Sequence, residues 1–269
     1  MLSGPTMELG GYFLALFMGA TLGLLGGGGS ILTVPILVYI FHITPVLATA
    51  YSLFVVGVVA LVGMLGYLKQ GLVNVKTGLA FAIPAFFSVF AVRRYLIPYL
   101  PDLIFKTGNY NFTKDMLVMF VFSVVMIMAS VSMIRKGRNK EGHPTGKGGH
   151  YLLIGLEGLL VGGVTGFVGA GGGFLIVPSL VILVGLPIKT AIGTSLMIIA
   201  INSIIGFTGD LAADVLIDWH FLMIFTSLAV TGMISGIYAG RYVPSASLKP
   251  AFGWFVLVMG ILILVKEMI

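Results

Sequence analysis

Twice in this chain, 143 residues apart, a long apolar run is broken by a cluster of glycines and then a proline. Residues 19–35 read GATLGLLGGGGSILTVP, and residues 162–178 read GGVTGFVGAGGGFLIVP. Eight of the seventeen positions coincide: Gly19/Gly162, Gly23/Gly166, Gly26/Gly169, Gly28/Gly171, Gly29/Gly172, Leu32/Leu175, Val34/Val177 and Pro35/Pro178. Chance in a glycine-rich chain would supply about one or two, so the sequence is a duplication. The register continues through Ala48/Ala191, Ser52/Ser195, Leu53/Leu196, Gly63/Gly206 and Gly66/Gly209, then weakens in the last two apolar segments of each half.

Such runs cannot face water. The 269 residues are 58% hydrophobic and 9% charged, where a soluble domain carries roughly 25% charge. That excludes a cytosolic enzyme. The net charge of +6 comes from basic residues scattered through loops, so no nucleic-acid partner is implied. The chain has no cysteine, which excludes disulfides, iron–sulfur clusters and thiolate nucleophiles. Apolar runs long enough to span a bilayer, about 20 residues, occupy Thr49–Leu68, Thr77–Leu96 and Met116–Ile134, and again Thr190–Thr208, Trp219–Gly240 and Lys249–Val265. Each half opens with a longer stretch, Leu9–Phe41 and Tyr151–Leu186. As one helix, such an opening would be roughly 50 Å long, well beyond a ~30 Å hydrocarbon core. Each is therefore expected to be two short helices or one broken helix. The first run has no positive segment ahead of Glu8 and no small-residue cleavage site, so it is expected to stay in the mature protein.

Two stretches are polar. Arg135–His150, RKGRNKEGHPTGKGGH, reads as an exposed linker, which divides the chain into a first transmembrane repeat (1–134), a linker (135–150) and a second repeat (151–269). Pro98–Asp115 reads as a loop. Charge orients the repeats. If each opening crosses an even number of times, or re-enters, ten Lys and Arg lie on the linker side and five on the other. A single crossing gives eight against seven. The positive-inside rule selects the first arrangement. The linker is then cytoplasmic and the loop bearing Asp210, Asp214 and Asp218 is outside. The fold expected is an all-α, multi-pass membrane protein of two inverted repeats, each a Gly-broken opening plus three transmembrane helices, with both termini outside. Paired, glycine-interrupted segments in inverted repeats point to a secondary transporter.

A helix broken in the bilayer leaves backbone N–H groups unpartnered, at several kcal/mol each unless they line a cavity or are buried in protein. An anion can satisfy them, because helix N-termini attract negative charge. The candidate substrate-binding residues are Gly26, Gly27, Gly28, Gly29 and Ser30 at the first break and Gly169, Gly171, Gly172 and Gly173 at the second. Gly19/Gly23 and Gly162/Gly166 have small-xxx-small spacing and are expected to serve close packing. Packing alone does not call for three or four glycines in a row. Thr49, Tyr51 and Ser52 in the first half, and Thr194 and Ser195 in the second, add polar groups at the next helix starts. Of these, Ser52, Thr194 and Ser195 are the candidate hydroxyl donors. Glu157 lies about 10 Å into its helix and is a possible coupling residue. Asn202, opposite Val59 in the repeat, is expected to make an interhelical hydrogen bond. Asp218, ahead of Trp219 and His220, is expected to cap a helix, and Arg94 and Arg241, each followed by Tyr, to anchor at the interface. No His/Asp/Glu cluster has metal-ligand spacing and no nucleophile lies near a base, so no metal, cofactor or enzymatic activity is implied.

The motifs GLLGGGGSILTVP at Gly23–Pro35 and GFVGAGGGFLIVP at Gly166–Pro178, with ATAYSL at Ala48–Leu53 and AIGTSL at Ala191–Leu196, resemble the duplicated signature of the TauE/SafE family of sulfite exporters and toluene-sulfonate uptake permeases. The chain departs from that pattern in the long polar loop and in Tyr51, where the second repeat has Thr194. The resemblance implies an inner-membrane carrier of a sulfur-containing anion such as sulfite, a sulfonate, sulfoacetate or thiosulfate, whose partners are that anion and the bilayer. A passive anion channel using the same donors is the alternative.

Overall fold

The computed structural model describes residues 5–107, 110–134, 149–168, 173–182, 184–211, 217–240, 242 and 245–268. The first opening is α1 (Pro5–Leu25), a 3-10 turn (Gly28–Leu32) and α2 (Thr33–Tyr39), followed by α3 (Pro45–Leu68) and α4 (Val75–Ala91). A π-turn (Val92–Leu96) carries α4 without a break into the short α5 (Ile97–Tyr99). After a strand pair, β1 (Leu103–Thr107) and β2 (Tyr110–Thr113), α6 (Lys114–Ile134) ends the first half. The second half holds α7 (Gly149–Val168), α8 (Gly173–Ile182), α9 (Ile188–Leu211), α10 (Trp219–Ala239) and α11 (Ser245–Met268).

Helix starts follow local chemistry. Pro45 occupies the first turn of α3, where its missing N–H has no cost. The Asn74 side chain accepts from the Thr77 amide at 3.1 Å to open α4, and Asp218 accepts from the Phe221 amide at 3.1 Å to open α10, the cap its position predicts. Four helical segments are long and apolar enough to cross a membrane among the described residues: Pro45–Leu68, Val75–Tyr99, Ile188–Leu211 and Trp219–Ala239. Large apolar side chains such as Phe13, Phe87, Leu160 and Ile234 point outward, as suits a protein whose solvent is lipid.

Glycines set the helix pairs. Gly19 and Gly23 of α1 lie against the backbone of Ala229 and Met233 in α10, while Gly232 and Gly236 of α10 lie against Leu16 and Ala20. In the same way Gly158, Gly162 and Gly166 of α7 lie against Phe81, Ala85 and Val89 of α4. Numbers rise together in both pairs, so the partners run the same way. Gly57 of α3 faces Ile204 of α9, and Gly206 of α9 faces Leu53 of α3, so this central pair runs in opposite directions. The small-xxx-small glycines thus do the packing their spacing predicts.

The first opening turns back on itself. Gly29 lies against Met18 and Leu22, and Ile40 and Phe41 lie beside Gly11. Helix α2 therefore climbs back along α1, and the segment leaves on the side where it entered. The polar stretch Pro98–Asp115 is not a plain loop. Leu103–Thr107 pairs antiparallel with Tyr110–Thr113, with the Phe105 and Phe112 rings stacked 4.8 Å apart. The sequence alternates β-formers around Gly108–Asn109, a hairpin dipeptide, a signal that the loop's polarity hid.

Candidate functional site

At the end of α1, Gly26 takes φ +69°, a left-handed conformation that glycine adopts without the clash a Cβ brings. Its amide still donates to Leu22 O at 2.8 Å. The chain then enters the 3-10 turn, whose first amides have no acceptor within the turn. Two hydroxyls serve the carbonyls here. Ser30 Oγ donates to Gly27 O at 2.8 Å. Ser195 Oγ lies 2.6 Å from Gly26 O and 2.8 Å from Ile192 O, so one proton is shared between a neighbouring break and its own helix. Tyr67 Oη donates to Gly23 O at 3.1 Å, one turn earlier.

The two breaks touch. A Cβ on Gly173 would come within 2.6 Å of Gly27 Cα, and one on Gly27 would strike the Gly173 backbone. A Cβ on Gly26 would strike Ile192, and one on Gly29 the backbone of Met18 and Leu22. Consecutive glycines are therefore explained by packing at 26, 27 and 29, against the expectation that packing does not need them. Each faces a different neighbour, because the chain reverses direction within a few residues. Gly28 opens the 3-10 turn. Gly169, Gly171 and Gly172 lie outside the described residues, as do 135–148 of the linker and Asp214.

The other candidates divide. Ser52 is fully buried on α3 and its hydroxyl has no partner. Thr194 Oγ1 accepts from the Asn74 amide at 2.9 Å, which ties it to the α3–α4 connection instead of to a break. Glu157 is half-buried on α7. Asn202 does not make the interhelical bond expected of it: both amide atoms are buried and unpartnered, as are the hydroxyls of Thr33, Thr165 and Ser203. Ser195, Asn202 and Asp210 follow one another at seven and eight residues on α9, so they share one face.

The strongest polar feature is one that sequence reasoning missed. Arg93, inside the apolar run Thr77–Leu96, is fully buried in the π-turn. Asp210, expected in an outer loop, is 4% exposed inside α9. Arg93 Nη1 reaches Asp210 Oδ1 at 3.4 Å and Thr49 Oγ1 at 3.0 Å. Thr49 in turn donates to Val46 O at 2.7 Å. Arg93 Nε and Nη2 and Asp210 Oδ2 have no partner. The clue was available: the run Thr77–Leu96 includes both Arg93 and Arg94, and continuation of the helix to Tyr99 sets Arg93 six residues from its end, roughly 9 Å at 1.5 Å per residue. Mutual neutralisation lets both charges stay inside. Arg94, next in sequence, is exposed.

The model of the family described as "Sulfite exporter TauE/SafE" matches residues 12–266. The chain belongs to that family. A TauE/SafE chain with this many apolar helices is a multi-pass membrane transporter, and its curated relatives are described as probable membrane transporter proteins. A "Probable membrane transporter protein" of Xylella fastidiosa (strain 9a5c) is 30% identical over 256 residues, covering 92% of this chain and 91% of the relative. "Probable membrane transporter protein YunE" of Bacillus subtilis (strain 168) is 25% identical over 256 residues, covering 87% and 82%. "Probable membrane transporter protein MJ0441" of Methanocaldococcus jannaschii is 36% identical over 112 residues, 39% of this chain and 41% of the relative. No solved structure matches this TauE/SafE chain.

Proposed function

We propose that this TauE/SafE protein is a secondary transporter that moves a small sulfur-containing anion across the inner membrane. The anion class is sulfite, sulfonate, sulfoacetate or thiosulfate. One observation carries the reading: a transmembrane bundle buries polar side-chain atoms that have no protein partner, among them Ser52 Oγ, both amide atoms of Asn202 and two nitrogens of Arg93. An unpartnered buried donor costs about 1–3 kcal/mol, more when charged, and polar groups inside a membrane bundle mark substrate paths. A ligand that visits these groups offsets that cost.

The helix directions support two inverted repeats. Helix α1 of the first half lies along α10 of the second, α7 of the second lies along α4 of the first, and α3 and α9 oppose each other. The substrate would pass where Gly27 meets Gly173, with free amides of the broken helices and the Ser52 hydroxyl as donors. Ser30 and Ser195 hold the first break's carbonyls in this state and become donors to the anion when the break rearranges. Thr194 stands outside this arrangement as an acceptor for the α3–α4 connection, and Glu157 on α7 is the residue that would carry a coupling proton.

Proteoliposomes test this. Purified protein in vesicles preloaded with sulfite, sulfoacetate or thiosulfate is expected to give saturable uptake and counterflow. Flux without saturation or counterflow would make the protein a passive anion channel. No flux of any of these anions would overturn the substrate class.

A further inference from the structure

We infer that the Arg93 guanidinium is a second anion station, separate from the glycine crossing and built for an oxyanion that offers two oxygens on one face. The inference rests on the transport reading above. Nε and Nη2 lie on the same edge of the guanidinium, and their N–H groups form the parallel fork that grips carboxylate, sulfonate or phosphate bidentately. That edge is the one left without a partner, while Nη1 alone holds Asp210 and Thr49. Three of the five N–H groups of this side chain therefore have no acceptor.

A pair kept for stability alone would be arranged differently. Turned edge-on to Asp210, the fork would satisfy both carboxylate oxygens at once. Instead the contact is single and long, at 3.4 Å, and Asp210 Oδ2 is also unpartnered. Asp210 and Thr49 thus act as positioning residues: they hold the guanidinium by Nη1 and leave the fork buried and without a protein acceptor. Shape agrees with this. The backbone carries a π-turn at Val92–Leu96, a local widening found frequently at functional sites. Gly209 of α9 lets the Arg93 side chain pass, since a Cβ there would come within 3.0 Å of Arg93 Cβ.

The station's place in the bundle follows from α9. Ile199 of that helix touches Gly173 at the crossing, and Gly209 touches Arg93. Ten residues of helix separate them, about 15 Å at 1.5 Å per residue. Asn202, on the same face with both amide atoms unpartnered, lies between. An oxyanion held by Arg93 would be handed along this face to the crossing. At the 143-residue offset from Arg93 the second half has Gly236.

Arg93→Lys separates the fork from the charge. The lysine keeps an ion pair with Asp210 but loses the parallel donors. Binding of sulfite, sulfoacetate and chloride to purified wild-type and variant protein is the readout. The two oxyanions are expected to lose affinity roughly tenfold to a hundredfold, the size of a lost charged hydrogen bond, while chloride, a sphere, changes by less than about threefold. If Arg93→Lys does not fold, the double variant Arg93→Met, Asp210→Asn removes both buried charges together and tests whether the station exists at all, with the same oxyanion loss expected. Counterflow by the wild type together with unchanged oxyanion affinity in the variant overturns the station and leaves the transport reading intact. Absence of counterflow in the wild type overturns the transport reading, and the station with it.

Discussion

Ser52 and Ser195 align in the repeat, yet their hydroxyls have different surroundings, and replacing each by alanine separates two roles. Ser52 Oγ is buried with no partner, so its proton is available to a bound anion. A hydrogen bond to a charged group contributes about 1.5–3 kcal/mol, and about 1.4 kcal/mol is tenfold in a dissociation constant. Ser52→Ala is therefore expected to weaken sulfite or sulfoacetate binding roughly tenfold to a hundredfold with little loss of stability, because no protein bond is broken. Ser195 Oγ already lies 2.6 Å from Gly26 O and 2.8 Å from Ile192 O. Ser195→Ala removes a bond between α9 and the first break, which is expected to destabilise the fold by about 1 kcal/mol. Its effect on affinity should be the smaller of the two. Calorimetric titration of the purified protein gives the affinities, and thermal unfolding followed through Trp219 and Trp254 gives the stabilities. Unchanged affinity in Ser52→Ala refutes the use of its free proton. Equal loss of affinity in both variants refutes the distinction drawn from their partners.

Gly173→Ala puts a methyl within 2.6 Å of Gly27 Cα and should cost about 1–3 kcal/mol through backbone displacement, visible as a lower unfolding temperature. Gly10→Ala, with nothing within 4 Å, should be neutral or stabilise α1 by about 0.5–1 kcal/mol. Asp210→Ala leaves Arg93 buried without its counter-charge and should cost about 3–5 kcal/mol, measured as loss of folded protein in the membrane fraction, with recovery when Arg93→Met is added. Since the chain has no native cysteine, Lys140→Cys and Asp214→Cys can be labelled singly from either side. Opposite sidedness is expected, and labelling from the same side would rule out inverted repeats.

Regular features were legible in the sequence because they repeat or act locally. The spacing of Gly19/Gly23 and Gly162/Gly166 announces close packing, and each of these glycines does lie against another helix's backbone or side chains. The cap at Asp218 depends on the next three residues alone. The pairing of Arg93 with Asp210 was not legible, because 117 positions separate them; the burial of Arg93 was hinted at by its place inside an apolar run, where it has the composition of a boundary. The contact of Gly27 with Gly173 was hidden for a related reason. The duplication says that the two breaks are alike, and nothing in one-dimensional order says that they meet. Ser195 and Ser52 show the limit of repeat alignment, since identical residues at matched positions have different partners.

The pairing of α1 with α10 bears on how the chain is made. Gly19 and Ala229, in contact, are 210 positions apart. At a synthesis rate of about 5–20 residues per second, α1 waits roughly 10–40 s in the membrane before its partner is complete. Over that time its glycine-lined face, where a Cβ would strike another helix's backbone in the finished bundle, is turned to lipid or to whatever insertion factor shields it. Helix α7 has no such delay, because α4 is already in place when it emerges. The first half therefore begins as an open rack and the second half closes it. A ribosome stalled after α9 would leave a chain with its central pair formed and its first helix still without a mate, a natural substrate for membrane quality control.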